Sequence, residues 1–433
     1  MSGFLSILLC LSLTITQPLF SIQSFYFLHN QALVHTTTSS TEDVFVSTEP
    51  VTSTETEGTD SDETGTTTPA STDTMGLTCE SALLMEASTG TVIYEKNANE
   101  QFRPASITKI MTLILIFDAL AENKITLEDT VTVSEYAASM GGSQVYLEPG
   151  ETQTVDTMIK CISVASANDA CVAMAEHIWG SETEFVNKMN ERAKELGMEQ
   201  TTFVNCCGLD VDGHVTTAKD IALMSQELIT KYPAIFNYTT IWMENITHVT
   251  RRGTSEFGLT NTNKLIRQYS YATGLKTGFT SLAGFCVSAT AKKDDVELIA
   301  VIMKASSSKI RNAEAISLLN YGFNVCQIYK DTNDTVIPSL PVEKGTKDTV
   351  SLYFKGPFVH VSTDGSDLSA IEKRLDLPEI ATAPIEKDAV AGYAVYSLNG
   401  KEIGKVAILF GEGVPLATFK DYFLEILNAY LIA

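Results

Sequence analysis

From Ile110 to Phe117 the only polar position is Thr112, so a helix over this stretch is apolar almost all round and belongs inside a domain. Pro104 suits the first turn of that helix, where a missing N–H costs nothing. Upstream, Ser81–Glu86 and Thr91–Glu95 flank Ala87-Ser88-Thr89-Gly90 and predict a β-hairpin. Downstream, Thr154–Val172 has helical periodicity interrupted at residues 163–169. Phe185–Leu196 is amphipathic and stops at Gly197, a left-handed C-cap, and Thr216–Leu228 begins on a threonine cap. Phe285–Thr290 and Val296–Met303, joined across residues 292–295, predict a second hairpin, and Ala313–Val325 a closing helix. Strands, then helices, then strands and a last helix predict an α+β domain: an antiparallel sheet with helices packed on it, over residues 77–330.

The texture changes near Thr335 to short alternating runs, Thr349–Phe354, Phe358–Ser362, Gly392–Leu398 and Glu402–Phe410. Asn399-Gly400 between the last two is a strong hairpin signal, so residues 331–417 predict a small all-β domain. Thr418–Ala433 is amphipathic, with Phe419, Tyr422, Phe423, Ile426, Leu427 and Tyr430 on one face. At the other end, residues 1–35 carry a short apolar run, Phe4–Leu13, that fits a signal peptide or N-terminal anchor, although no Lys or Arg precedes Lys96. Residues 36–76 are Thr, Ser and acidic residues with too little apolar surface to fold, which predicts an extended linker outside the cytoplasm.

Composition narrows the function. With 433 residues, a net charge of −23 and a pI near 4.6, the chain offers no basic face to nucleic acid. Its eight cysteines are scattered without Cys-x-x-Cys spacing, so neither a zinc site nor a disulfide framework is indicated, and adjacent Cys206-Cys207 rarely share a metal.

Ser106 and Lys109 lie one turn apart just before the apolar helix. A serine is a weak nucleophile until a neighbouring base takes its proton, and a lysine serves as that base only where burial or nearby positive charge lowers its pKa. Ser-x-x-Lys alone is common. Here it is followed in order by Ser166-x-Asn168 and Lys276-Thr277-Gly278, within Pro-Ala-Ser-Ile-Thr-Lys, Ser-Ala-Asn-Asp-Ala and Gly-Leu-Lys-Thr-Gly-Phe-Thr. Together these resemble the low-molecular-mass penicillin-binding proteins, specifically the serine D-alanyl-D-alanine carboxypeptidases, from about Cys79 to Tyr329 and more weakly through the β domain.

The resemblance implies a β-lactamase/transpeptidase-like fold that removes the terminal D-alanine from peptidoglycan stem peptides, is acylated by β-lactams, and needs no cofactor or metal. It implies Ser106 as nucleophile, Lys109 as base, and Ser166 with Asn168 in proton relay and substrate holding. Lys276 would add positive charge beside Lys109, and Thr277 would bind the terminal carboxylate. Backbone N–H groups of Ser106 and Phe279, the latter beyond Gly278, would form the oxyanion hole. Arg311, in Lys309–Glu314, would stand near the carboxylate, its other reading being a solvated arginine at a helix start. His214 and Asp220 read as structural. Two neighbours of this reading are weaker. A class A β-lactamase would add a Glu-x-x-x-Asn loop between Asn168 and Lys276, which is missing, and a silent β-lactam sensor has no need of every motif. The terminal helix resembles a membrane-surface anchor, the other possibility being that its apolar face packs on the β domain.

Overall fold

The computed structural model describes residues Met75–Ile432; the expected leader and the expected linker up to residue 74 lie outside the described residues. Strands β1 (Ser81–Glu86) and β2 (Val92–Lys96) come first. A 3-10 turn (Ala105–Thr108) then runs into α1 (Lys109–Ala121). Helices α2 (Val155–Val164), α3 (Asn168–Trp179), α4 (Glu182–Glu195) and α5 (Ala218–Lys231) follow, then a hairpin of β3 (Met243–Thr250) and β4 (Gly253–Thr260). Three long strands, β5 (Ala272–Thr280), β6 (Gly284–Lys293) and β7 (Val296–Ala305), lead to α6 (Ser308–Val325).

The central sheet is antiparallel, in the order β2-β1-β7-β6-β5. Both of its faces are buried. Leu83, Met85, Ile299, Val301 and Met303 point into the core built by α1 to α5, whereas Ala82, Leu84, Leu298, Ala300 and Ile302 meet Ala315, Leu318 and Leu319 of α6. Burial on two sides is why Leu298–Met303 reads as an unbroken apolar run rather than an alternating one. In α1, every residue from Lys109 to Phe117 is buried, as an all-apolar helix requires. The expected caps are present: Thr217 accepts the Asp220 N–H, and Gly197 is left-handed at φ +73° after α4.

The small domain is a set of short sheets whose largest has four strands. Its hairpin pairs Val390–Leu398 with Lys401–Phe410, and Asn399 and Gly400 both adopt the positive φ that a two-residue turn needs. The run Thr349–Phe354 is not one strand. It breaks at Ser351, whose carbonyl accepts the Gly411 N–H, and its two pieces join different sheets. Phe358–Ser362 pairs back with Gln327–Asp331, directly after α6.

The terminal helix spans Phe419–Ile432. Its apolar face is largely open to solvent rather than buried on the β domain. Phe419 is 86% exposed and Tyr430 83%, and Tyr422, Phe423, Ile426 and Leu427 are exposed as well. Among the described residues no helix is long and apolar enough to cross a membrane.

Candidate active site

The predicted site residues converge where the 3-10 turn, the start of α3 and the outer edge strand β5 meet. The element carrying Ser106 differs from the expected helix. Ser106 lies in the 3-10 turn, Pro104 sits just outside it, and α1 begins only at Lys109. In a 3-10 turn, residues i and i+3 eclipse, which aligns Ser106 with Lys109 more closely than an α-helix would. The Lys109 Nζ is 3.1 Å from Ser106 Oγ, 2.7 Å from Asn168 Oδ1 and 2.7 Å from the Cys207 carbonyl oxygen. Lys109 is fully buried, while Ser106 keeps partial access to solvent.

Ser166 and Asn168 flank the start of α3. Ser166 adopts a left-handed φ of 61°, which turns its hydroxyl to 2.8 Å from Lys276 Nζ. Asn168 links both sides of the site: its Oδ1 accepts from Lys109, and its Nδ2 donates to the Gly141 carbonyl at 2.7 Å. Asp169 then ties the loop to α3 by accepting the N–H groups of Val145 and Leu147, and burial pushes its carboxyl up. Lys276 donates also to the Thr277 carbonyl, and its pKa is pulled well below the ordinary value by burial and then by Lys109 and Arg311. Among the described residues, no hydrogen bond of Ser106, Lys109, Ser166 or Lys276 goes to a carboxylate.

Two glycines let backbone close on the segment that carries Ser106. A Cβ at Gly278 would lie 2.9 Å from the Pro104 carbonyl oxygen and 3.1 Å from Ser106 N, so β5 passes directly beside the Ser106 amide. At Gly208, with φ +87°, a Cβ would sit 1.8 Å from the Ala105 carbonyl oxygen, a collision no side chain survives. Phe279 is exposed and stacks on Phe285 at 4.2 Å between ring centroids.

Arg311 lies in the first turns of α6, buried rather than solvated. Its Nε donates to Asn312 Oδ1 at 3.0 Å and Nη1 reaches the Cys286 carbonyl at 3.5 Å. No ion pair to Arg311 exists among the described residues, and burial lowers its pKa to about 10. Thr277 Oγ1 bonds the hydroxyl of Thr262, at 3.1 Å.

Four contributors escaped the sequence reading: the Cys207 carbonyl, Gly208, Asp169 and Thr262. Of these only Asp169 left a trace, inside the Ser-Ala-Asn-Asp-Ala stretch Ser166–Ala170. His214, read as structural, is the neutral tie between two parts of the site. Its Nδ1 accepts the Val204 N–H at 3.0 Å, so the proton is on Nε2, which donates to Thr108 Oγ1 at 2.8 Å. Burial pushes its pKa down to about 4.

A two-faced antiparallel sheet flanked by helices, followed by a small β domain and a terminal helix, is the architecture of the low-molecular-mass penicillin-binding proteins. Residues 50–307 match the family described as D-alanyl-D-alanine carboxypeptidase, and residues 327–421 the penicillin-binding protein 5 C-terminal domain. The chain is 42% identical over 343 residues to the D-alanyl-D-alanine carboxypeptidase DacF of Bacillus subtilis, covering 78% of this chain and 87% of that protein. It is 34% identical over 347 residues to DacC of Escherichia coli, with 78% and 84% covered. Penicillin-binding protein 5 of Haemophilus influenzae superposes with a TM-score of 0.68 at 28% identity, over 81% of this chain and all of that one. The chain belongs to the D-alanyl-D-alanine carboxypeptidase family.

Proposed function

We propose that this chain is a serine-type carboxypeptidase that removes the terminal D-alanine of peptidoglycan stem peptides, residues 77–330 carrying the chemistry. The observation that carries this reading is Lys109 Nζ held 3.1 Å from Ser106 Oγ, with Ser166 and Lys276 paired at 2.8 Å beside it. Ser106 Oγ attacks the carbonyl carbon between the last two D-alanines, and Lys109 takes the hydroxyl proton. The oxyanion is received by the N–H groups of Ser106 and Phe279, each such donor contributing on the order of 10²–10³ in rate. The C–N bond breaks, and D-alanine leaves with a proton delivered through Ser166. Water then attacks the Ser106 ester, giving its proton to Lys109 and returning the hydroxyl.

Substrate lies along the free edge of β5, an added strand whose main chain supplies affinity. Asn168 holds its amide, and Thr277 with Arg311 its terminal carboxylate, which confines cleavage to chains ending in a free D-alanine. The same geometry admits β-lactams as acylating inhibitors. Peptidoglycan lies outside the cytoplasmic membrane, and the terminal helix anchors the enzyme on that surface through its apolar side chains. The test is mass spectrometry after incubation with benzylpenicillin. One penicilloyl group is expected, on the tryptic peptide ending at Lys109; labelling elsewhere overturns the assignment.

A further inference from the structure

Behind Lys109 the fold gathers ligand atoms that are far apart in sequence. Glu182 opens α4, Cys206 and Cys207 lie in the turn before Gly208, and one oxygen or sulfur from each lies within 4.8 Å of the others. The two sulfurs are 3.6 Å apart. Thiolates on one tetrahedral zinc, with Zn–S near 2.3 Å, are separated by roughly 3.8 Å, so this spacing needs little adjustment. Adjacent cysteines ordinarily diverge. Here Asn205 Oδ1 accepts the N–H groups of Cys207, Gly208 and Leu209 at 3.1, 2.7 and 3.0 Å, winding the backbone so that both sulfurs meet.

The carboxylate is oriented as well. Glu182 Oε2 accepts the Tyr136 hydroxyl at 2.6 Å and Oε1 the Cys206 N–H at 3.1 Å, the outer partners that hold a metal ligand in place. The half-exposed Tyr136 and the partly exposed Glu182 mark the way in from solvent.

We propose that Glu182, Cys206 and Cys207 bind one thiophilic divalent ion of the zinc class. The ion is a staple. It joins the start of α4 to the turn whose carbonyls accept Thr112 Oγ1 at 2.7 Å and Lys109 Nζ at 2.7 Å.

The test is titration of the reduced, chelator-treated full chain with Cd²⁺, following the thiolate-to-cadmium ultraviolet band, and with Zn²⁺, following thermal unfolding. One ion per chain is expected, with a rise in unfolding temperature and displacement of Cd²⁺ by Zn²⁺. Cys206→Ser and the more conservative Glu182→Gln should each weaken binding about tenfold or more. The proposal is overturned by absence of one-to-one binding, by binding unchanged in both variants, or by an untreated protein whose mass is short of the hydrogens a disulfide loses.

Discussion

Two regions of this chain invert the ordinary rule of burial, in opposite senses. In the pocket beside α1, Lys109 and Lys276 are buried to 0% and 1% exposure, while on the terminal helix Phe419 stands 86% exposed. A buried amine is tolerated because each has fixed partners: Lys109 a hydroxyl, an amide and a carbonyl, Lys276 a hydroxyl and a carbonyl. The exposed aromatic face has no such satisfaction within the described residues. The pocket is pre-paid by folding and should be unforgiving, whereas the helix is an appendage to the catalytic machinery.

The strongest way to break that contrast is Ser106→Ala. It should abolish the penicilloyl adduct and cut peptide turnover by on the order of 10⁴-fold or more, with folding intact by circular dichroism. Residual acylation at another serine would mean that the pocket is not the site.

Next in size is a stability effect at His214. Its folded pKa is about 4 against an ordinary 6.5, so between those values the unfolded chain binds the extra proton. Stability therefore rises with pH across that window and falls on acidification, by roughly 3 kcal/mol from this group. Urea midpoints from pH 4 to 7 should show the slope, and His214→Gln should flatten it. An unchanged slope would show that the ring does not stay neutral in the fold.

Arg311→Ala sharpens the distinction between carrying chemistry and reading the substrate. Losing a charged hydrogen bond to the carboxylate costs roughly 1.5–3 kcal/mol, a loss of more than tenfold in kcat/KM on a D-Ala-D-Ala peptide. An amidated peptide should react poorly with both proteins. A loss within about twofold on the free acid would remove Arg311 from the carboxylate pocket.

How far these regions could be read in advance depended on what kind of atom does the work. Side chains in ordered motifs were legible: Ser106, Lys109, Ser166, Asn168 and Lys276 meet within hydrogen-bond range. Backbone contributors were not, because the Cys207 carbonyl has no residue-specific signature. The 3-10 turn was read as helix because Ala105, at φ 47°, is not a residue that announces a left-handed backbone. The β3–β4 hairpin passed unnoticed since only Ile246, His248 and Leu259 along it are buried, too few to show a period of two. Strand Ile371–Asp376 was likewise hidden. It is the edge of its sheet, where Glu372, Lys373, Arg374 and Asp376 discourage further pairing, and that charge erases the alternation.

The smallest expected effect tests the other half of the comparison. Deleting residues 419–433 should leave the penicillin acylation rate within about twofold, because among the described residues no hydrogen bond of Ser106, Lys109, Ser166 or Lys276 involves the helix and its apolar face is largely exposed. Binding to vesicles should be lost. The polar face of the helix sets Lys420 against Asp421 and Glu425, so attraction to anionic lipid, on the order of 1 kcal/mol per basic residue, is nearly cancelled. Attachment then rests on burying Phe419, Tyr422, Phe423, Ile426, Leu427 and Tyr430 at the interface, and raising salt should hardly weaken it. The truncated chain should stay folded and monodisperse by light scattering. If it unfolds, the helix is part of the fold. If it keeps its hold on vesicles, the anchor lies elsewhere in the chain.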